Sequence, residues 1–465
     1  VPWSRVAALL AINRLCAPSS ELGIEERWYP ATALDDLLGF PTGTINDTRL
    51  YRCLDRLLPH KTKLERHLKE RYGQLFGAEF DVLLYDLTSS YVEGQAEKNP
   101  MVQYGYSRDH RSDCKQVVLA LIVNAEGFPL SYETFDGDRT DVTTLEAVMR
   151  MVQRKHGRAR RIWVFDRGIA SEENLASLRK RGGQYLVGTP RAKLKTVERE
   201  LLEGGWTRVR EEVEVKLVPT PTGTETYVLC RSTARREKER AIRRRFSARM
   251  ERALQRLAER VEKGQLKDRE KIQRRLGKIQ ARHAQVADLY EASLVQHNGR
   301  LALSWSLIEE RRAWREAREG AYLLRTNLES ETAEELWTKY IQLTEAAAAF
   351  RALKSELSIR PLFHQIEPRV KAHILVAFLG YALWVTLKHL LDRNHSDLSP
   401  ARALALLSTL QSADIVLPTT DGRELRLRRI TEPRPEQKQL LHQLGITLPE
   451  PFNLNLECSE NSALA

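Results

Sequence analysis

Two aspartates each close an apolar run. Val82-Leu83-Leu84-Tyr85 leads into Asp86, and Arg161-Ile162-Trp163-Val164-Phe165 leads into Asp166. Runs of that length and composition read as strands, so each carboxylate is expected at the carboxyl end of a strand. If the two strands are neighbours, both carboxylates converge at one edge of a sheet. Two close carboxylates raise each other's pKa unless a cation sits between them. Hard oxygen ligands select Mg²⁺ or Mn²⁺. Two such ions about 3.5–4 Å apart activate a water or a 3′-hydroxyl and stabilise the leaving oxygen in phosphoryl transfer. An Asp after a strand is also an ordinary turn former or helix cap, so each one alone leaves that alternative open.

The elements that must position them follow from the pattern along the chain. Val117 to Val123 is a second apolar run and Leu130 to Phe135 alternates, with the turn Gly127-Phe128-Pro129 between them. Helical spacing around 142–155 precedes the strand that ends at Asp166. A helix over 171–181 then leads to a strand over 184–188. Three strands followed by alternating helix and strand predict a mixed α/β sheet. Residues 1–78 carry helical spacing, as in Val6-Ala7-Leu9-Leu10 and Leu50-Leu54-Leu57-Leu58, with a breaker at Pro41-Thr42-Gly43. They form either a small DNA-binding domain or a helical cap.

A long insertion over 191–320 opens with alternation at Val209, Val213, Val215 and Leu217, a Pro-Thr-Pro-Thr-Gly turn, and Tyr227-Val228-Leu229. Its middle, 231–290, holds twenty Lys/Arg against eight Asp/Glu, a surplus as large as the +12 of the whole chain. Ile242, Phe246, Met250, Leu254, Leu257 and Val261 mark one helical face. After Gly264, Leu266, Ile272, Leu276 and Ile279 mark a second, so a helical hairpin with a basic exterior is expected. Arg243-Arg244-Arg245 and Arg274-Arg275 make that exterior either a solvated surface or an arm that tracks phosphates. Beyond it, Ala321 to Thr326 reads as a strand, and a helix capped by Ser330 or Thr332 runs to about Ser358. The tail, 393–465, shows β-like stretches at 415–417 and 425–427.

A pI of about 9.4 and a net charge of +12 point to a polyanionic partner. Five scattered cysteines, Cys16, Cys53, Cys114, Cys230 and Cys458, show no CxxC pairing. That argues against a disulfide scaffold or a structural zinc site and fits a cytoplasmic protein. Val1 to Leu10 lacks the features of a secretory signal, and a start at Val rather than Met is read as a start inside a longer chain. Ala372 to Leu391 is about 20 residues long and mostly apolar. It contains His373, Lys388 and His389, which favours a buried core helix over a membrane span.

Several of these stretches carry a family resemblance. YDLTSSYVEG around Asp86 and VFDRGIAS around Asp166 resemble the first and second acidic motifs of bacterial insertion-sequence DDE transposases. QVVLALIVNAEGFPLSYETFDGDRTD resembles the segment those enzymes carry between the two motifs. YLLRTN at 322–327 is similar to their strand after the insertion, and YIQLTEAAAAFRALKSEL at 340–357 to their third motif. The resemblance spans roughly residues 80–391, with five motifs in order. It implies an RNase-H-like core in two parts, 79–190 and 321–392, interrupted by the insertion. It also implies a two-metal site of Mg²⁺ or Mn²⁺ on Asp86 and Asp166. Cut-and-paste transposition at terminal inverted repeats follows, with double-stranded DNA ends and target DNA as partners, a homodimer on paired ends, and no membrane. The branch it suggests has a Tyr-Arg-Glu-Lys signature and uses a DNA hairpin intermediate. An aromatic residue from the insertion helps that step there; Trp206, Trp305 and Trp314 are available, although each also reads as a packing residue.

Against that signature, Tyr340 and Lys354 match, Leu343 stands for Arg, and Ala347 stands for the third catalytic acid. At 100° per residue, Ala347 and Lys354 share a helix face, with Tyr340 on it too, while Glu345 and Glu356 point elsewhere. Neither Glu therefore replaces the missing acid. An engineered Glu→Ala change, natural inactivation, and a helical core that prefers Ala are three accounts of the gap. The resemblance makes Tyr340 and Lys354 phosphate contacts, with Arg167, Lys115 and the insertion arginines as further DNA-binding residues. The expected function is a transposase disabled at Ala347 that still binds DNA. The other readings are a non-catalytic DNA-binding protein derived from one, and a nuclease on the same core.

Overall fold

A computed structural model of the chain describes residues 2–39, 43–220, 223–297, 300–418, 420, 424–448 and 454–457. Pro41, Thr42, Pro221, Thr222, Cys458 and the polar end of the tail lie outside the described residues. The chain divides into two compact units, residues 1–161 with 342–465, and residues 162–341. These limits follow packing and run along other lines than the segments 79–190, 191–320 and 321–392 drawn from sequence.

The first unit begins with helices α1 (Trp3–Cys16), α2 (Asp47–Leu57) and α3 (Lys61–Phe76). Asn46 caps α2, its side chain accepting from the Arg49 amide at 2.8 Å. Gly77, at φ +69°, ends α3. Leu50, Cys53, Leu54 and Leu57 bury one face of α2. These helices are built into the unit and do not stand apart. Lys61 donates to the Tyr132 carbonyl at 2.9 Å, and Arg14 to the Ser358 carbonyl at 3.1 Å.

Strands β1 (Val82–Tyr91), β2 (Gln116–Val123) and β3 (Pro129–Asp136) form an antiparallel set in the order β3-β2-β1. Every residue of β2 is buried, as its unbroken apolar run predicts. The strand expected to end at Asp86 does not end there. β1 runs five residues further, with Asp86 opposite Leu121 in mid-strand. Thr88, Ser89 and Ser90 are polar, yet all three are buried. The two serine hydroxyls find partners: Ser89 accepts from the Arg108 amide at 3.1 Å, and Ser90 donates to the Ile359 carbonyl at 3.4 Å. Helix α4 (Leu145–His156) buries Leu145, Val148 and Val152. Its Lys155 meets Glu65 of α3 at 2.6 Å, with side chains only 6% and 0% exposed. Lys155→Met would strand a buried carboxylate. It is expected to cost about 3–5 kcal/mol, read as a lower urea midpoint at unchanged m.

The second unit opens with β4 (Ile162–Phe165), α5 (Glu172–Lys180) and β5 (Gln184–Gly188), the two strands pairing in parallel. Strands β6 (Thr207–Arg210), β7 (Val213–Pro219) and β8 (Thr226–Ser232) follow. Helices α6 (Thr233–Glu262) and α7 (Arg269–Arg282) form the expected hairpin, separated after Gly264 at φ +69°. Met250, Leu254, Leu257 and Val261 of α6 and Ile272 and Leu276 of α7 are buried together, as their spacing predicts. Ile242 lies outside that stripe, 40% exposed. A β-hairpin that the sequence reading lacked, β9 (Tyr290–His297) with β10 (Arg300–Leu307), adds Tyr290 and Leu303 to the same core. Helix α8 (Glu309–Ala317) leads to β11 (Ala321–Thr326).

β11 lies between β5 and β8 and is antiparallel to both, so this unit's strands run β4-β5-β11-β8-β7-β6. The first strands of the insertion therefore extend a mixed sheet, and the α/β class is the one the sequence predicts. Helix α9 (Ala333–Ile341) follows, with a reciprocal cap. Thr332 accepts from the Glu335 amide at 3.2 Å and Glu335 accepts from the Thr332 amide at 2.8 Å.

The chain then returns to the first unit. The single helix expected up to Ser358 is broken: α9 stops at Ile341 and α10 (Leu343–Ser355) starts after Gln342. Helix α11 (Glu367–Arg393) contains the apolar segment. It is long and apolar enough to cross a membrane, but 56% of its most apolar window is buried inside the protein. Val370, Ile374, Leu375, Phe378 and Val385 are core residues. The tail adds α12 (Pro400–Leu407), an antiparallel pair β12 (Ser412–Pro418) and β13 (Glu424–Ile430), α13 (Pro435–Gln443), and β14 (Leu454–Glu457) paired with β13.

Candidate active site

In the second unit, Asp166 follows β4 directly. Phe165 is fully buried and Asp166 exposed, so the strand's apolar side chains anchor the backbone that presents the carboxylate. Gly188 closes the parallel neighbour β5. A β-carbon there would lie 2.8 Å from the Tyr340 hydroxyl and 3.1 Å from Asp166 Oδ1. The carboxylate and the phenol thus converge over one glycine whose missing side chain makes the room. Burial pushes the Tyr340 phenol well above its ordinary value, and the neighbouring Asp166 charge pushes it the same way. Tyr340 therefore keeps its proton at neutral pH and offers an O–H donor beside an anionic oxygen. Arg167 is exposed next to Asp166.

In the first unit, Asp86 is half-buried on β1, its Oδ1 accepting from the Leu87 amide at 2.8 Å. Helix α10 packs on this sheet through small residues. Ala346 and Ala349 are 0% and 1% exposed, with Phe350 and Leu353 buried beside them. Ala347 is on the exposed side. Packing thus requires two of the four alanines and places no such demand on position 347, so a core preference for Ala does not explain the gap. Glu345, as its angle on the helix predicts, is directed elsewhere and pairs with Lys388 at 3.0 Å. Glu356 is exposed. The wheel relation of Ala347 to Lys354 holds within α10, but it does not extend to Tyr340, which belongs to α9.

Lys354 is held by a residue that sequence reading missed. Its ammonium lies 2.7 Å from Asp109, a carboxylate 3% exposed that also pairs with Arg360. Burial lowers the Lys354 pKa, and the bond to Asp109 opposes that shift. Asp109 sits in a tight loop. The His110 amide bonds the Ser107 carbonyl, and His110 itself takes φ +58°. The adjacent Arg108 pairs with Asp141. Four charged residues within Arg108–Asp113 were the available signal, but they lie in a loop between strands, where no periodicity singles them out. Asp109→Ala would leave two partly buried cations without their carboxylate. A loss of about 3 kcal/mol in chemical denaturation is expected, smaller for Asp109→Asn.

The remaining predicted residues scatter. Lys115 is half-buried and donates to the Gln95 carbonyl at 3.3 Å. Arg243 is no free cation; it is locked to Glu316 at 2.9 Å and Glu319 at 2.5 Å. Arg244, Arg245 and Arg275 are exposed, as is Arg274, 3.7 Å from Glu270. Trp206 and Trp314 pack against one apolar cluster and Trp305 against another, as packing residues do. Among the described residues, no three His, Cys, Asp or Glu side chains gather as a metal site.

Residues 77–383, well over half the chain, match the family model described as Transposase DDE domain. No curated protein matches. Among solved structures, a piggyBac transposase synaptic complex with hairpin DNA is similar over 87% of this chain and 69% of that one, at 8% identity and a TM-score of 0.41. Asp86, Asp166, Tyr340, Ala347 and Lys354 all fall inside the matched segment, and the chain belongs to the family of DDE transposases.

Proposed function

We infer that the chain is a cut-and-paste DNA transposase whose metal-binding carboxylates are Asp86 and Asp166 and whose third acid is missing at Ala347. What carries the reading is the family match over 77–383, which contains both aspartates. Two hard carboxylates suit a divalent cation. Mg²⁺ or Mn²⁺, when bound, would supply Lewis-acid activation of the attacking oxygen and charge neutralisation at the scissile phosphate.

The chain's own groups do the positioning. The Tyr340 O–H donates to a phosphate oxygen, and Lys354 balances its charge. Arg167, Lys115 and the exposed arginines Arg244, Arg245, Arg274 and Arg275 hold the flanking backbone. As it stands the chain binds transposon ends, as two copies on paired ends in the cytoplasm, and does not cut. A non-catalytic DNA-binding protein derived from a transposase is the second reading, favoured by Ala347 alone.

Selection from a pool of random-sequence duplexes tests the binding half. Enrichment of one end-like sequence is expected. A pool that returns unenriched, with no retention even at low salt, overturns it.

A further inference from the structure

Within the second unit, α6, α8 and the segment 191–197 enclose an open cavity of about 640 Å³. Five cationic side chains line it against two carboxylates, Glu239 and Glu319. Three of the cations are already committed. Arg191 bonds Glu239 at 2.7 Å, Arg243 bonds Glu319 at 2.5 Å, and Arg315 lies 3.4 Å from Asp288. The other two, Lys195 and Arg318, make no side-chain ion pair or hydrogen bond among the described residues. The Arg318 Nε is buried without a partner, its guanidinium stacked 5.0 Å from the Trp314 ring centroid. Burial and then the like charges of Arg315 and Arg191 lower the Arg318 pKa.

A rigid frame of ion pairs thus holds two uncommitted cations facing a hollow in which positive charge is in excess. Such a place is relieved by an anion. A guanidinium fork beside a mobile ammonium matches a tetrahedral phosphate better than a planar carboxylate. Ile242 and Phe246 supply an apolar wall against which a sugar can lie. The segment 231–290, which contributes Glu239, Ile242, Arg243, Phe246, Gln285 and Val286 to the lining, carries a surplus of Lys/Arg whose field attracts a polyanion.

We propose that Lys195 and Arg318 form a phosphate site of the insertion that seats a phosphodiester of the DNA backbone. This rests on the DNA-binding reading above. It adds to the exposed arginine clusters a contact in a formed cavity.

The test measures affinity for a random-sequence duplex by fluorescence anisotropy over a range of KCl. It uses the full chain, Lys195→Gln/Arg318→Gln, and the control Arg158→Gln/Arg160→Gln, which removes equal charge from exposed positions of the other unit. Losing two phosphate contacts should make the slope of log K against log salt shallower by roughly 1.8. The control should keep the parent slope, and Lys195→Arg/Arg318→Lys should keep most of it. If the double variant keeps the parent slope, or the control loses as much, the site is overturned while DNA binding stands. If the parent binds no duplex, the broader reading fails instead. If inorganic phosphate alone raises the parent's Tm, and only that response is lost in the double variant, the hollow takes free phosphate and the backbone assignment is overturned.

Discussion

Ala347→Glu is expected to convert this chain into a metal-dependent DNA-cleaving enzyme. Position 347 is exposed on α10, one side of which is anchored by Ala346, Ala349, Phe350 and Leu353. A longer side chain there enters solvent and displaces nothing. Glu follows Ala closely in helix propensity, so stability should move by no more than about 0.5 kcal/mol. The chemical change is far larger. A third carboxylate fixes the metal and its bound oxygen, an effect worth several kcal/mol, which corresponds to a gain of about 10³-fold or more over the parent. The measurement is nicking of a duplex bearing the selected end sequence, in Mg²⁺ and in Mn²⁺. Asp86→Asn and Asp166→Asn, each placed in the Ala347→Glu chain, should abolish the gain. A variant that binds ends with parental affinity and cuts in neither metal would leave the second reading, a DNA-binding protein without catalysis.

Much of this was legible before any coordinates because apolar runs are strong signals. Val117 to Val123 reads as a buried strand, and Met250-Leu254-Leu257-Val261 reads as one helix face. Both are what packing requires. Three features of the site were not legible, for definite physical reasons. The continuation of β1 past Asp86 is written in Thr-Ser-Ser, whose burial depends on partners from Arg108 and Ile359 far away in sequence. The break at Gln342 involves neither Gly nor Pro, so local propensity favours one continuous helix there. That break also removed Tyr340 from the wheel argument, which survives only between Ala347 and Lys354. Asp109 was invisible for a related reason. Its importance comes from burial beside Lys354 and Arg360, a tertiary property of an irregular loop.

Gly188→Ala tests the convergence of Asp166 and Tyr340 within the second unit, and its expected effect is the next largest. The added methyl would stand 2.8 Å from the Tyr340 hydroxyl and 3.1 Å from Asp166 Oδ1, with the Arg167 amide at 3.4 Å. The first distance is shorter than a carbon tolerates, so the phenol must move, and the second asks the carboxylate to give by a few tenths of an ångström. Tyr340 is tethered within α9, whose Leu336 and Trp337 are buried, whereas Asp166 stands on an exposed turn. The carboxylate can give by that amount, while displacement of the phenol strains the packing of α9. A shift near 1 Å in a metal-binding or phosphate-positioning group costs about 10²-fold in rate. In the Ala347→Glu chain, Gly188→Ala should lower cleavage by about that factor while duplex affinity holds. Tyr340→Phe removes the hydroxyl that the methyl meets. If the crowding is real, Gly188→Ala and Tyr340→Phe will be non-additive, the second change costing less cleavage once the first is present. Additive losses, or full activity in Gly188→Ala, would mean that the convergence over Gly188 plays no part in positioning Asp166.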